Sequence, residues 1–196
     1  MQAEHNDEVH PDWLNQGFEY YRAVWVECAE LLDHFGWKWW KKQIADIEQV
    51  KLEIVDIWHF GLSDLIRDDL VGADLAREMV RCAEIKGDGD FRQAVEALAN
   101  RALADPKFHV ASFIDVLNAL PMSLDELFEK YIGKNVLNRF RQAHGYKAGH
   151  YQKVWQGRED NEHLSELVGE LNPLSDSFVD ELLDALEKRY PDNGPS

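Results

Sequence analysis

The sequence has little that would mark a secreted, membrane-bound or β-rich protein. Only two cysteines, Cys28 and Cys82, occur in 196 residues. That is too few for a disulfide framework and predicts a reducing, cytoplasmic setting. No segment approaches the run of about 20 apolar residues that a membrane span needs, so no membrane partner is expected. The polar opening MQAEHNDEVHPDW predicts no secretory signal. There is no internal repeat and no convincing strand pattern. Positive charge is also scarce: 21 Lys and Arg stand against 37 Asp and Glu, a formal net charge of −16. A surface for a nucleic-acid polymer would normally be basic, so that partner is not expected either.

What is present is helical periodicity, in a globular composition of 45% hydrophobic and 30% charged residues. Apolar spacing predicts helices over residues 13–34, 46–70, 74–86, 91–103, 107–120, 123–144, 161–171 and 177–189. The first dozen residues read as a polar lead-in. Ser123 with Glu126 three residues later is a capping-box start. Gly87-Asp88-Gly89-Asp90 reads as a plain turn, because a calcium loop of that type would need further ligands ending in a Glu at its twelfth position. The expected fold is an all-α helical bundle. Residues 1–190 are expected to form a single domain, with room for a small mobile helical subdomain within 72–120, and 191–196 a disordered tail.

Two acidic pairs stand out between Trp25 and Phe60. Glu27 and Glu30 are spaced by three, as are Glu53 and Asp56, and helical residues three apart share a face. Cys28 lies between the first two and reads as a small helix residue. The acids are interleaved with Val24, Trp25, Val26, Leu52, Ile54, Val55, Ile57 and Trp58, so they are expected to be partly buried. Buried acids need a partner, and four carboxylates gathered from two adjacent helices cannot all stay ionised without a cation among them. A hard divalent ion such as Mg²⁺ suits an all-oxygen donor set.

The scarce positive charge is concentrated. From Lys130 to Arg158 there are seven Lys or Arg and no Asp or Glu. Within that block Lys134, Asn138 and Arg141 form one helical stripe, as expected of an anion pocket. Acids that hold a metal and cations that hold phosphate together suggest Mg²⁺-dependent hydrolysis of a phosphoanhydride.

The pattern Glu-x-x-Glu, 22 residues, Glu-x-x-Asp resembles the signature of the all-α nucleotide pyrophosphohydrolases, the superfamily that includes MazG. The blocks ECAELLDHFGWKWWKK, LEIVDIWHF and GKNVLNRFRQAHGYKAGHYQKVWQGREDN are more similar still to the dimeric all-α dUTPases, a likeness extending to about Leu164. That resemblance implies a four-helix metal-binding core and a homodimer. It also implies hydrolysis of dUTP, and of dUDP, to dUMP, with water attacking the β-phosphorus. By the same resemblance Glu27, Glu30, Glu53 and Asp56 hold Mg²⁺, two or more ions per site, and one of these glutamates, Glu30 by preference, activates the water. Lys134, Asn138, Arg141, Tyr146, Lys153 and Asn161 match phosphate and sugar contacts. Phe60 matches the ring that stacks on uracil, with Trp40 in the same pocket. Gln2 and Asn6 resemble the pair that reads the base edge. A MazG-like or dCTPase-like hydrolase of other specificity would carry the same metal signature, and a non-enzymatic acidic interaction module would share the composition.

Overall fold

The computed structural model describes residues 1–85, 89–173 and 175–191. They are overwhelmingly helical, as an all-α fold requires. The chain divides into two compact units, Met1–Phe128 and the part from Glu129 on.

The first unit is organised around a helical hairpin. Helix α2 (Tyr20–Phe35) packs against α3 (Ile47–Arg67). Gly36 ends α2 in a conformation of positive φ (+89°), where a side chain would be strained. Asp46 caps α3 by accepting from the Gln49 amide at 3.2 Å. The Asp46 amide also donates to the His34 carbonyl (3.0 Å), which brings the end of α2 to the start of α3. Gln43 staples the loop between them, its Oε1 accepting from the amides of Trp37 (3.0 Å) and Lys38 (2.7 Å).

α3 is the central helix, with both flanks covered: Leu52, Ile54, Val55 and Ile57 are all 2% exposed or less. Helices α4 (Ala73–Ala83), α5 (Phe91–Ala104) and α6 (Val110–Ala119) complete this unit. α4 buries Cys82, α5 supplies Val95 and Leu98 to the core, and α6 supplies Phe113, Ile114 and Leu117. Trp58 of α3 stacks on Phe113 with centroids 5.4 Å apart.

The polar lead-in is helical. Residues Gln2–Val9 form α1, which lies against α3. The helix expected over 13–34 is broken: Trp13–Asn15 is a single 3₁₀ turn and α2 starts only at Tyr20. Gly17 takes φ +63°, and the Arg67 guanidinium holds the Phe18 carbonyl at 3.0 Å. A glycine that turns the chain and a tertiary bond to the next residue outweigh the apolar spacing that suggested one continuous helix.

Helix α7 (Leu124–Ala143) starts in the first unit and runs into the second. Only half of the predicted capping box forms. The Ser123 hydroxyl accepts from the Glu126 amide at 3.0 Å, while Glu126 itself pairs with Lys51 at 2.6 Å. In the second unit, α8 (Asp160–Glu170) and α9 (Phe178–Arg189) bury Leu164, Leu167, Phe178, Leu182 and Leu186. Strands that the sequence did not suggest appear here: β1 (Val154–Trp155) pairs antiparallel with β2 (Arg158–Glu159). Gln156 and Gly157, both of positive φ, make the two-residue hairpin turn. Two-residue strands are too short to show alternation. The turn Gly87-Asp88 and nearly all of the expected tail lie outside the described residues.

Gly61 marks a close approach in the core, because a Cβ there would lie 2.4 Å from the Phe108 ring. In an open helix Gly→Ala gains about 1 kcal/mol, whereas overpacking a core costs about 1–3 kcal/mol. Gly61→Ala is therefore expected to lower the melting temperature, which calorimetry reads directly.

Candidate active site

The hairpin brings the predicted acids together. α2 supplies Glu27 and Glu30, and α3 supplies Glu53, with one carboxylate oxygen from each lying within 4.8 Å of the others. Glu53 is 7% exposed, Glu27 is half-buried and Glu30 faces solvent. Asp56, one turn beyond Glu53 on α3, is half-buried; it is not among the three that converge this closely. Its charge nevertheless bears on Glu27. Burial first, then the charges of Asp56, Glu53 and Glu30, push the Glu27 carboxyl up to about 9. The cluster thus takes up a proton that a cation could replace. Three hard oxygen donors converging on one point fit a divalent ion of the Mg²⁺ type.

His34 was not anticipated. It follows Glu30 by one turn and sets Nε2 3.7 Å from Glu53 Oε1. Cys28, by contrast, is buried, and burial together with the Glu27 charge pushes its thiol up to about 12. It is a packing residue, as its position between the acids suggested.

Farther along α3, Gln2 and Asn6 of α1 meet Ser63 and His59. Gln2 Nε2 donates to Asn6 Oδ1 (3.0 Å) and to Ser63 Oγ (3.1 Å), and Asn6 Nδ2 donates to Ser63 Oγ (3.0 Å). His59 Nδ1 lies 2.7 Å from Gln2 Oε1. The i, i+4 spacing of His59 and Ser63 was the available signal for these partners. Phe60 is half-buried on the same helix. Trp40 sits in the loop between α2 and α3, 57% exposed and edge-on to Trp37 and Trp39. An open groove of that loop is lined by Phe35, Trp37, Lys38, Trp39, Lys41 and Arg92.

The second unit gathers most of the predicted phosphate and sugar residues. Lys134, though 2% exposed, donates to Asn161 Oδ1 at 3.1 Å. Arg141 donates to Asn138 Oδ1 (3.1 Å) and stands over the Tyr146 ring, 5.9 Å from its centroid. Lys153 is exposed on the hairpin and pairs with Glu159 at 3.2 Å. The organiser of the group is Asp160, next to Asn161 and missed from sequence. It is fully buried and takes both arms of the Arg141 fork, at 2.8 and 2.9 Å, plus the Tyr151 hydroxyl at 2.9 Å. Burial alone would raise the Asp160 carboxyl, but the Arg141 guanidinium and the Tyr151 hydroxyl hold it below its ordinary value.

The family model described as dUTPase matches residues 1–146. The chain belongs to the all-α dUTPase family. It is an enzyme, a dUTP diphosphatase, and its substrate is a nucleotide. That sets aside the non-enzymatic reading. Enzymes of this family generally use a divalent metal, and the Glu27–Glu30–Glu53 cluster is a candidate place for it. No curated protein matches the chain. The dUTPase match spans α1, both acidic pairs and all of α7, while Lys153, Asp160 and Asn161 lie beyond it. No helix among the described residues is long and apolar enough to cross a membrane.

With EDTA present, folded Glu27 keeps its proton up to about pH 9, whereas the unfolded chain releases it near the ordinary value of 4.5. The native state then binds more protons in that window, so stability falls as pH rises across it. The melting temperature in EDTA should drop from pH 5 to pH 9, and Glu27→Gln should flatten that slope. In the second unit, Arg141→Ala strands the buried Asp160 carboxylate. Urea unfolding should show a loss of about 3–5 kcal/mol, as for other broken buried pairs, and Asp160→Asn, which can still hydrogen-bond, should lose less.

Proposed function

We propose that this enzyme is a Mg²⁺-dependent diphosphatase that hydrolyses dUTP, and dUDP, to dUMP. The observation that carries the proposal is the convergence of Glu27, Glu30 and Glu53 on one point, with the Glu27 carboxyl driven up by burial and by its acidic neighbours. Glu27, Glu30, Glu53 and Asp56 are assigned as the carboxylates that hold Mg²⁺, two or more ions per site. These carboxylates would hold the cation, which would supply charge neutralisation and polarisation at the phosphoanhydride.

Glu30 is assigned as the base. It is the solvent-facing member of the cluster, so water can reach it, and it accepts the proton as the water oxygen attacks phosphorus. Attack on the β-phosphorus breaks the bond to the α-phosphate oxygen and gives dUMP and pyrophosphate from dUTP. Lys134, Asn138, Arg141, Tyr146, Lys153 and Asn161 are assigned to the phosphate and sugar groups, where cationic and amide donors stabilise developing charge. Phe60 and Trp40 are assigned to stacking on the base, and Gln2 and Asn6 to its hydrogen-bonding edge. A homodimer in the cytoplasm is part of the same reading.

A panel of deoxynucleoside triphosphates with Mg²⁺, scored for monophosphate and pyrophosphate, is the direct test. dUTP should be turned over fastest, dUDP should also be consumed, and EDTA should abolish both activities. Faster turnover of dCTP or a purine nucleotide would move the enzyme to a MazG-like or dCTPase-like specificity. Glu53→Gln should lose about two or more orders of magnitude in kcat with the helical content unchanged, as expected when a group acting on the transition state is removed.

A further inference from the structure

We propose that His59 and Ser63 are specificity-determining positioning residues that lock the side-chain amides of Gln2 and Asn6 in the one orientation that accepts uracil and refuses cytosine. The inference rests on the assignment of Gln2 and Asn6 to the base edge and names what makes that assignment selective.

An asparagine amide is nearly symmetric in shape but not in chemistry, since one end accepts a hydrogen bond and the other donates. Uracil offers an N3–H donor beside a carbonyl acceptor. Cytosine offers the inverse, an N3 acceptor beside an amino donor. An amide that accepts from N3–H and donates to the carbonyl suits uracil; the same amide turned by half a rotation suits cytosine. A free Asn6 would serve both bases, so discrimination requires that its flip be prevented.

The network on α3 prevents it. Ser63 Oγ has a single proton, and the His59 carbonyl, 2.9 Å away, is its nearest acceptor. Its other acceptor, Asn6 Oδ1, is farther off at 3.4 Å, so with the proton directed to the His59 carbonyl Ser63 Oγ accepts from the amide nitrogens of Asn6 and Gln2 at 3.0 and 3.1 Å. Gln2 Nε2 also donates to Asn6 Oδ1 at 3.0 Å, which fixes the carbonyl end of Asn6. The orientation of Gln2 is fixed in turn by His59, whose Nδ1 lies 2.7 Å from Oε1. Because Gln2 Nε2 is directed at two acceptors, Oε1 is the end facing the ring, and His59 carries its proton on Nδ1.

Gln2, His59 and Ser63 are each 6% exposed or less, so the lock is shielded from water. Asn6 is only half-buried and forms the open end of the network. A flip of Asn6 would set a carbonyl against Ser63 Oγ and an amino group against Gln2 Nε2. The two part-buried hydrogen bonds of Asn6 would be lost, the Gln2 and Asn6 amino groups would oppose one another, and Ser63 could answer the turned carbonyl only by giving up its bond to the His59 carbonyl.

The test is the ratio of kcat/KM for dUTP to that for dCTP in the full-length enzyme, with melting temperatures measured alongside. Ser63→Ala and His59→Leu should each lower the ratio by about tenfold or more, the equivalent of one oriented hydrogen bond. The change should come through a higher KM for dUTP and measurable use of dCTP. His59→Asn, which places an amide N–H where Nδ1–H was, should restore much of the ratio. Asn6→Ala separates the two layers of the inference. If it leaves the ratio unchanged, Asn6 does not read the base and both the assignment and the lock fall. If Asn6→Ala lowers the ratio but Ser63→Ala and His59→Leu do not, the assignment stands and the lock is overturned. Equal losses on both nucleotides, tracking melting temperature, would reduce His59 and Ser63 to anchors of α1 and likewise overturn the lock.

Discussion

Like-charge repulsion inside the α2–α3 hairpin is the constraint on which the first unit depends. Carboxylate oxygens of three acids lie within 4.8 Å of one another, and Glu53 among them is almost fully buried. Such an arrangement does not form for its own stability. It is imposed by the apolar residues around it, because Val24, Cys28 and Leu31 on α2 and Leu52, Ile54, Val55 and Ile57 on α3 are all buried. The loop braced by Gln43 and the Asp46 cap fix the pairing of the two helices, so the acids cannot slide apart. Packing energy thus holds charge at high potential, and raised affinity for a proton or a cation is the result.

The second unit solves the opposite electrostatic problem. The stretch from Lys130 to Arg158 carries cations without acids, and just beyond it one wholly buried carboxylate, Asp160, sets the position of Arg141 through a two-armed contact. Arg141 in turn aligns Asn138 and stands over Tyr146. A planar guanidinium held at all three nitrogens has little freedom left, and a group that must meet a phosphate benefits from being placed in advance.

Local spacing explains which parts of this arrangement could be read from sequence. Glu27, Glu30 and Glu53 were visible because a spacing of three on an apolar helix has one geometric meaning, and the linker was short enough to fold the two helices together. Lys134, Asn138 and Arg141 were visible for the same reason. Asp160 was hidden because its role depends on partners 19 and 9 residues away, which no periodicity encodes. The break at Gly17 was hidden because apolar residues on both sides kept the helical spacing, and only the tertiary bond from Arg67 to Phe18 reveals it. The docking of α1 was hidden because its residues are mostly polar, and the attachment runs through the Gln2 and Asn6 amides rather than a hydrophobic stripe.

That polar attachment has a dynamic consequence. Gln2 is the only residue of α1 that is buried, so undocking the helix exposes almost no apolar surface. Segments of this kind open at a fraction of the global unfolding free energy. Backbone amides of α1 should therefore exchange with solvent deuterium well before those of α3, through a fluctuation that leaves the hairpin intact. Opening would dissolve the contact with Ser63 and His59 while the carboxylate cluster stays assembled, because all three of its acids stand on α2 and α3. The fold thus separates a readily opened segment from the rigid pair of helices that carries the acids, and the two can move on different timescales.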